Sequence, residues 1–279
     1  MEPRLVATDI DGTIVPGGGT VSDRTRRTLR SCVAAGVDVV LVTGRPPRWM
    51  PPVLAELDLP GTVVCANGAA LMDASSGQLR EVTAIPGPVL REAVERLARR
   101  FPGAVLAVET PAELLTGPGW TQVRSRQERR EGLAPTTRSS REAGSLEALV
   151  AADEVFKLVL VDPDASPDGL LEAVREEVGD SLSATRSSLG SPLVEMGPAG
   201  VTKASALERL ARSRGIAAAE VVAFGDMPND VEMLRWAGRG YAMAGAHPEA
   251  LAAADAVAPP AEEDGVATVL AELLADRLA

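Results

Sequence analysis

Pairs of acidic residues stand at two places in this 279-residue chain where carboxylates could act together. Asp9 and Asp11 follow the apolar run Leu5–Thr8, and Asp226 and Asp230 lie in the stretch Gly-Asp-Met-Pro-Asn-Asp. Residues two apart point the same way in an extended chain, and residues four apart share one face of a helix. Clustered carboxylates repel unless a cation lies among them, and Mg²⁺ favours a few carboxylates together with waters and a substrate phosphate. These pairs therefore predict a magnesium site.

Two further stretches carry groups that suit an anionic ligand. Thr43, Gly44 and Arg45 follow a second apolar run, Val37–Val42, and Lys203 stands early in a predicted helix. The chain has only two lysines, and all its other residues with a cationic side chain at pH 7 are arginines. A lysine at 203 therefore indicates a need for a compact point charge. The plainer alternatives are a strand-to-helix turn for the first stretch and a solvated helix residue for Lys203.

The elements that must position these residues alternate between strand and helix. Such alternation predicts right-handed crossovers and a parallel sheet, and ligands bind outside the carboxyl ends of its strands, where these residues fall. The predicted elements are strand Leu5–Thr8, a helix capped by Ser22 and ended by Gly36, strand Val37–Val42, an amphipathic segment to about Leu57, strand Thr62–Cys65, helix Val201–Arg214 and strand Val221–Phe224.

Between these two halves the pattern changes. A helix ending at Arg100, a strong strand within Glu154–Val161 and a helix near Pro167–Val178 predict a smaller α/β domain inserted into the parallel one. Glycine and proline at both edges suit a two-strand hinge. We therefore predict a core of residues 1–84 and 194–279 and an inserted domain of residues 85–193.

Charge and composition exclude several classes of partner. The chain carries 28 basic and 39 acidic residues, a net charge of −11, which argues against nucleic acid or an anionic membrane as the main partner. There is no run of about 18 apolar residues and no leader segment, so we expect a cytoplasmic protein. We expect Cys32 and Cys65 to be buried free thiols and His247 to be a bystander in a surface turn. Nothing in the sequence indicates the oligomeric state.

Taken in order, these stretches resemble the four motifs of the haloacid dehalogenase-like hydrolases. The motifs are the sequence Asp-Ile-Asp-Gly-Thr from Asp9, Thr-Gly-Arg from Thr43, Lys203, and the Gly-Asp-Met-Pro-Asn-Asp stretch that contains Asp226. The long insertion between the second and third motifs is similar to that of the Cof-like branch, type IIB, as is the Asn-Gly-Ala sequence at Asn67. The resemblance implies an α/β fold with a Rossmann-like parallel-sheet core domain and an inserted smaller α/β cap domain.

The resemblance also implies a mechanism, that of a Mg²⁺-dependent phosphoric monoester hydrolase. Asp9 would attack phosphorus to give an aspartyl-phosphate, while Asp11 would protonate the leaving oxygen and then deprotonate the hydrolytic water. The implied catalytic residues are Asp9, Asp11, Thr43 and Lys203. The implied phosphate-binding residues are Thr43, Gly44, Lys203 and Asn229. The implied metal ligands are Asp9, Asp11 (through its backbone carbonyl), Asp226 and Asp230. Asn67 and Glu195 could contact the leaving group, or be a turn residue and a solvent-facing strand residue.

The expected substrate is a small phosphorylated metabolite, such as a sugar phosphate, a nucleotide or a cofactor phosphate. The alternatives are a phosphomutase or phosphotransferase on the same core, and a non-catalytic binding protein. A signalling receiver is disfavoured by the length and the insertion, and dehalogenation because a halide needs no acid like Asp11. The sequence departs from the family in having Ala204 after the lysine and Gly245 where asparagine is usual.

An arginine-rich stretch in the inserted domain has two interpretations. Residues 120–141 contain six arginines and two glutamates. They could draw in an anionic substrate, with Arg124, Arg126, Arg129 and Arg130 as the candidates, or form a solvated loop, which is the interpretation we favour.

Overall fold

The computed structural model describes residues 3–17, 19–124, 140–188 and 190–275. The chain divides into a larger unit, Met1–Glu81 with Val201–Ala279, and a smaller unit, Val82–Gly200. The predicted second boundary, 193/194, differs from this division because the strand Leu193–Pro198 pairs within the sheet of the smaller unit. No helix in the described ranges has the length and apolar character needed to cross a membrane.

The elements are numbered here in chain order. The strands are β1 (Leu5–Thr8), β2 (Asp38–Val42), β3 (Thr62–Cys65), β4 (Ala70–Asp73), β5 (Leu79–Val82), β6 (Val105–Glu109), β7 (Leu114–Thr116), β8 (Ser140–Glu142), β9 (Lys157–Val161), β10 (Leu182–Thr185), β11 (Leu193–Pro198), β12 (Val221–Gly225), β13 (Arg239–Met243) and β14 (Ala256–Ala258). The α-helices are α1 (Asp23–Ala34), α2 (Pro51–Leu57), α3 (Gly87–Arg100), α4 (Leu146–Val150), α5 (Pro167–Val178), α6 (Lys203–Ser213), α7 (Val231–Trp236), α8 (Pro248–Ala253) and α9 (Gly265–Leu273).

The larger unit is built on an eight-stranded sheet of order β14-β13-β12-β1-β2-β3-β4-β5. Neighbours from β14 to β3 pair in parallel, and β4 pairs antiparallel with β3. Strand β1 is buried along its whole length, which explains why it consists of an apolar run rather than an alternating pattern. The predicted α/β fold with a Rossmann-like parallel-sheet core is confirmed.

Local signals set the ends of the helices that matter for the core. Ser22 caps α1 by accepting a hydrogen bond from the Thr25 N–H, and Gly36 ends the turn that follows this helix with φ of +79°. Helix α6 begins with a reciprocal capping box, in which the Thr202 and Ser205 side chains each accept from the other residue's backbone N–H. Lys203 is therefore held as the first residue of α6.

The smaller unit is a six-stranded sheet of order β10-β11-β9-β6-β7-β8. One face packs against α3, α4 and α5 through side chains such as Leu158 and Leu160. The opposite face carries Val159 and Val161 in a separate apolar cluster. It is the inserted α/β domain that the change of pattern predicted.

An ion pair lies among the strands of the smaller unit, between Lys157 and Glu195, whose side chains are 4% and 11% exposed. Glu195 is therefore not a solvent-facing strand residue, because it is covered together with its partner lysine.

Of the four candidate arginines, Arg126, Arg129 and Arg130 lie outside the described residues.

The capping box predicts a measurable contribution of Thr202 to stability. Replacing Thr202 with alanine removes the oxygen that accepts from the Ser205 N–H, so we expect the free energy of unfolding to fall by about 1 kcal/mol. Urea unfolding in EDTA measures it, and Thr202→Ser, which keeps the hydroxyl, is the control. An equal loss in both variants would contradict the assignment.

Candidate active site

Polar residues follow four neighbouring strands of the core sheet, at their carboxyl ends. Asp9 follows β1, Thr43 follows β2, Asn67 lies just beyond β3 and Asp226 follows β12. Hydrogen bonds between the strands continue past these ends, since the Asp9 N–H donates to Phe224 O at 3.0 Å. Because β12, β1, β2 and β3 are adjacent, four distant parts of the sequence meet at one edge of the sheet.

The ammonium of Lys203 lies between two carboxylates. Its Nζ donates to Asp9 Oδ1 at 2.5 Å and to Asp230 Oδ1 at 2.7 Å. The side chains of Lys203 and Asp230 have no exposed surface. Burial alone would lower the pKa of Lys203, but the charges and hydrogen bonds of the two aspartates outweigh it and raise the pKa above its usual value. Lys203 therefore keeps its positive charge despite its burial, and its interpretation as a solvated helix residue is wrong.

Three carboxylates gather around this ammonium. One oxygen from each of Asp9, Asp226 and Asp230 lies within 4.8 Å of the other two, and all three residues are buried. Burial, opposed by Lys203 and reinforced by the neighbouring acids, raises the pKa of Asp9 to about 7. Burial and the charges of Asp9 and Asp230 raise the pKa of Asp226 to about 8. One lysine cannot balance three carboxylates, so this all-oxygen donor set fits a divalent cation such as Mg²⁺.

Asp230 is held more firmly than the other two acids. Its Oδ2 accepts from the backbone N–H groups of Asp226 and Met227, at 3.1 and 3.0 Å, while Oδ1 accepts from Lys203. A Cβ atom at Gly225 would lie 2.4 Å from the Asp230 carboxyl carbon, so only glycine leaves room for this arrangement. Asp230 thus fixes both the lysine and the loop that carries Asp226.

Asp226 also contacts the first motif. A Cβ atom at Gly12, where φ is +81°, would lie 2.2 Å from Asp226 Oδ2. The Thr13 hydroxyl donates to Asp226 Oδ1 at 3.3 Å. Gly12 and Thr13, which resemble turn residues in the sequence, therefore bring the first and last motifs together.

The second acid of the first motif is placed differently. The Asp11 side chain is 49% exposed and is not one of the three clustered carboxylates. Arg45 grips both of its oxygens, with Nε to Oδ2 at 2.7 Å and a second bond from Nη2 to Oδ1. The hydrogen bond to Asp11 raises the pKa of Arg45, so the arginine keeps its charge. The sequence places Arg45 in the Thr-Gly-Arg motif but indicates no specific role for it, and the structure supplies one as the partner of Asp11.

Thr43 and Gly44 connect the end of β2 to Arg45. Thr43 is buried, and its hydroxyl accepts from the Arg45 N–H at 3.0 Å. In the loop after β12, the Asn229 amide donates to Asn67 Oδ1 at 3.0 Å. Asn67 therefore contacts a predicted phosphate-binding residue, a relationship that no sequence spacing indicates.

The single histidine is buried next to the loop that carries Asp226. His247 is 7% exposed, and its N–H donates to the backbone oxygen of Asp226 at 2.8 Å. Its Nδ1 accepts from the Glu249 N–H and so caps α8. The turn does start a helix, as the sequence predicts, but His247 itself is buried rather than exposed, because its backbone lies against the residue that carries a site carboxylate. Cys32 and Cys65 are both buried thiols that form no disulfide with each other, as predicted.

Known proteins are similar to this chain in sequence and in fold. A family model for haloacid dehalogenase-like hydrolases matches residues 6–270. Over 264 residues the chain is 29% identical to a phosphoglycolate phosphatase of Methanoculleus marisnigri, covering 94% of this chain and 93% of that protein. Over 299 residues it is 26% identical to a 5-amino-6-(5-phospho-D-ribitylamino)uracil phosphatase of Bacillus subtilis, covering 99% of this chain and 100% of that protein.

A solved structure shows the same architecture. The HAD subclass IIB sugar phosphatase BT4131 superposes with a TM-score of 0.79 at 22% identity, covering 96% of this chain and 98% of that one. The family match spans nearly the whole chain, and the core sheet with its inserted α/β unit agrees with this neighbour. The protein therefore belongs to the haloacid dehalogenase-like hydrolases, and it has the fold of a subclass IIB member of that family.

Proposed function

We propose that this protein is a Mg²⁺-dependent phosphatase that hydrolyses a small phosphorylated metabolite through an aspartyl-phosphate on Asp9. The observation that carries the proposal is the buried cluster of Asp9, Asp226 and Asp230 around the Lys203 ammonium. Attack of a carboxylate on a phosphate dianion requires positive charge beside both anions, which Lys203 supplies here and which Mg²⁺ held by the clustered carboxylates would add. The named activities of the relatives support the same class of substrate.

Asp9 is the nucleophile in this proposal. Lys203 binds its Oδ1, which leaves Oδ2 to attack phosphorus while the ammonium offsets the negative charge of the phosphate. Asp9, Asp226 and the backbone carbonyl of Asp11 would hold Mg²⁺, which supplies positive charge to the phosphoryl oxygens when bound. Asp230, the third carboxylate of the metal-binding cluster, would lie beside the ion and also positions Lys203 and the Asp226 loop, because its oxygens accept hydrogen bonds from both.

Asp11 is the acid and base. Its exposed carboxyl can reach a leaving oxygen, which the buried acids cannot do as easily. Because Arg45 holds both Asp11 oxygens, one of these bonds must open before Asp11 transfers a proton to the leaving group. Thr43, Gly44, Lys203 and Asn229 bind the phosphoryl oxygens through a hydroxyl, a backbone N–H, an ammonium and an amide.

The first test is hydrolysis of para-nitrophenyl phosphate by the purified protein with Mg²⁺ and with excess EDTA. Asp9→Asn removes the nucleophile, so we expect a loss on the order of 10³-fold or more. Asp58→Asn, an exposed aspartate of the same unit, is the matched control and keeps full activity. Activity that survives in Asp9→Asn would refute the mechanism. If an alcohol is added to the assay, phosphate transferred to that alcohol rather than to water would identify a phosphotransferase.

The raised pKa values predict how Mg²⁺ binding depends on pH. Metal binding needs ionised carboxylates, and in the metal-free protein Asp9 and Asp226 hold protons below about pH 7 and about pH 8. Mg²⁺ must displace these protons, so we expect its affinity to rise between pH 6 and pH 8.5, with protons released on binding. Calorimetry in two buffers of different ionisation enthalpy measures both effects. Equal affinity at the two ends of this range would contradict the prediction.

The clamp on Asp11 predicts a role for Arg45 in turnover. Arg45→Lys keeps the charge but cannot grip both carboxylate oxygens, so Asp11 loses its alignment and we expect kcat to fall roughly 10- to 100-fold. Mg²⁺ affinity stays unchanged, because the Asp11 side chain lies outside the carboxylate cluster. Arg30→Lys, in an exposed pair with Asp58, is the control. A wild-type kcat in Arg45→Lys would show that the clamp has no part in catalysis.

A further inference from the structure

The loop after β3 has an unusual backbone. Ala66, Asn67 and Gly68 follow one another with φ values of +50°, +55° and +104°. Side chains with a Cβ atom seldom adopt this left-handed region, and asparagine tolerates it better than most residues. Such a conformation persists only where surrounding contacts impose it, and it is found most often at functional sites.

Contacts from two sides impose it here. The N–H groups of Ala66 and Asn67 donate to the backbone oxygens of Arg45 and Thr43, at 2.9 and 3.0 Å. On the other side, a Cβ atom at Gly68 would lie 2.3 Å from the Thr202 carbonyl oxygen, so the loop packs directly against the start of α6. The loop is thus fixed between the segment that carries Thr43 and the helix that begins with Lys203.

The position of this loop brings the Asn67 side chain into contact with Asn229. Asn67 is 9% exposed, and its Oδ1 accepts from Asn229 Nδ2 at 3.0 Å. Asn229 lies between Asp226 and Asp230 in the loop that supplies two of the clustered carboxylates. The hydrogen bond therefore fixes the rotation of the Asn229 amide relative to the carboxylate cluster.

The oxygen of the Asn229 amide accepts no hydrogen bond from the described residues. Asn229 Oδ1 is buried and has no hydrogen-bond partner within the part of the chain that the structure describes. A buried acceptor left without a donor is costly, so this oxygen should meet one when the site is filled. Phosphate oxygens can only accept at neutral pH, whereas Mg²⁺ bound by few carboxylates keeps several waters, which donate.

We infer that Asn67 is a positioning residue for the metal site: by holding Asn229 Nδ2, it directs Asn229 Oδ1 to accept a hydrogen bond from a Mg²⁺-bound water. The inference rests on the proposed function, because that proposal supplies the Mg²⁺ site. It assigns the left-handed loop a purpose, which is to place one amide oxygen. Residues that orient the groups around a metal typically change its affinity 10- to 100-fold when they are lost.

Calorimetric titration with Mg²⁺ alone tests this inference without any need for turnover. Asn67→Gly removes the amide but keeps a residue that adopts the left-handed backbone freely, so we expect about 10-fold weaker binding. Asn229→Ala should weaken binding by a similar factor, and the double variant should bind no more weakly than Asn229→Ala, because Asn67 acts through Asn229. Asp58→Gly, at an exposed left-handed residue with φ of +50°, is the matched control and binds as the wild type does.

A second variant guards against loss of the fold. Asn67→Asp keeps an acceptor for Asn229 and tolerates the same backbone, so it should bind Mg²⁺ at least as tightly as Asn67→Gly, and thermal unfolding in EDTA checks that every variant is folded. Wild-type affinity in Asn67→Gly, or losses that multiply in the double variant, would overturn the inference. If the cycle behaves as expected but the wild type hydrolyses no phosphate ester, the proposed function fails alone. If hydrolysis is present and Asn67→Gly binds normally, the inference fails alone, and a wild type that does not bind Mg²⁺ overturns both.

Discussion

The rest of the site depends on one ammonium group buried between two carboxylates. Burying the Lys203 ammonium away from solvent is costly, and the carboxylates of Asp9 and Asp230 offset that cost by hydrogen-bonding to it directly. The contact joins the end of β1, the start of α6 and the loop after β12, which are far apart in the sequence. Much of the surrounding structure serves it, since the capping box begins α6 at Lys203 and Gly225 leaves space for Asp230.

In the same buried site, the negative charge of the carboxylates exceeds the positive charge of the lysine. Three carboxylates face one lysine, so the metal-free cluster retains protons that a free aspartate would lose, as the raised pKa values of Asp9 and Asp226 express. A divalent cation and a phosphate group would bring opposite charges into this space and so stabilise each other as well as the cluster. Repulsion among the crowded acids destabilises the metal-free fold, and binding of the cation relieves that repulsion. Such a trade of stability for function is common in proteins.

The sequence predicted well what depends on local pattern and order. The strands Leu5–Thr8 and Thr62–Cys65 are confirmed residue for residue, because their ends are marked by the residues that follow them. The burial of Glu195 and His247 was missed, since it depends on partners supplied by Lys157 and by the loop of Asp226. The contacts of Asn67 and Arg45 were also out of reach, because a bidentate clamp or an amide pair exists only once distant loops meet.

The scarcity of lysine has a practical consequence. The sequence contains two lysines, at 157 and 203, and they are 3% and 1% exposed, so the solvated basic residues of the chain are arginines. One lysine lies in the smaller unit and one in the larger. A reagent that acylates only lysine side chains will therefore find a target only in molecules that have opened locally. The position at which the label appears reveals which unit opened, so the chain carries a separate chemical reporter of unfolding in each of its two units.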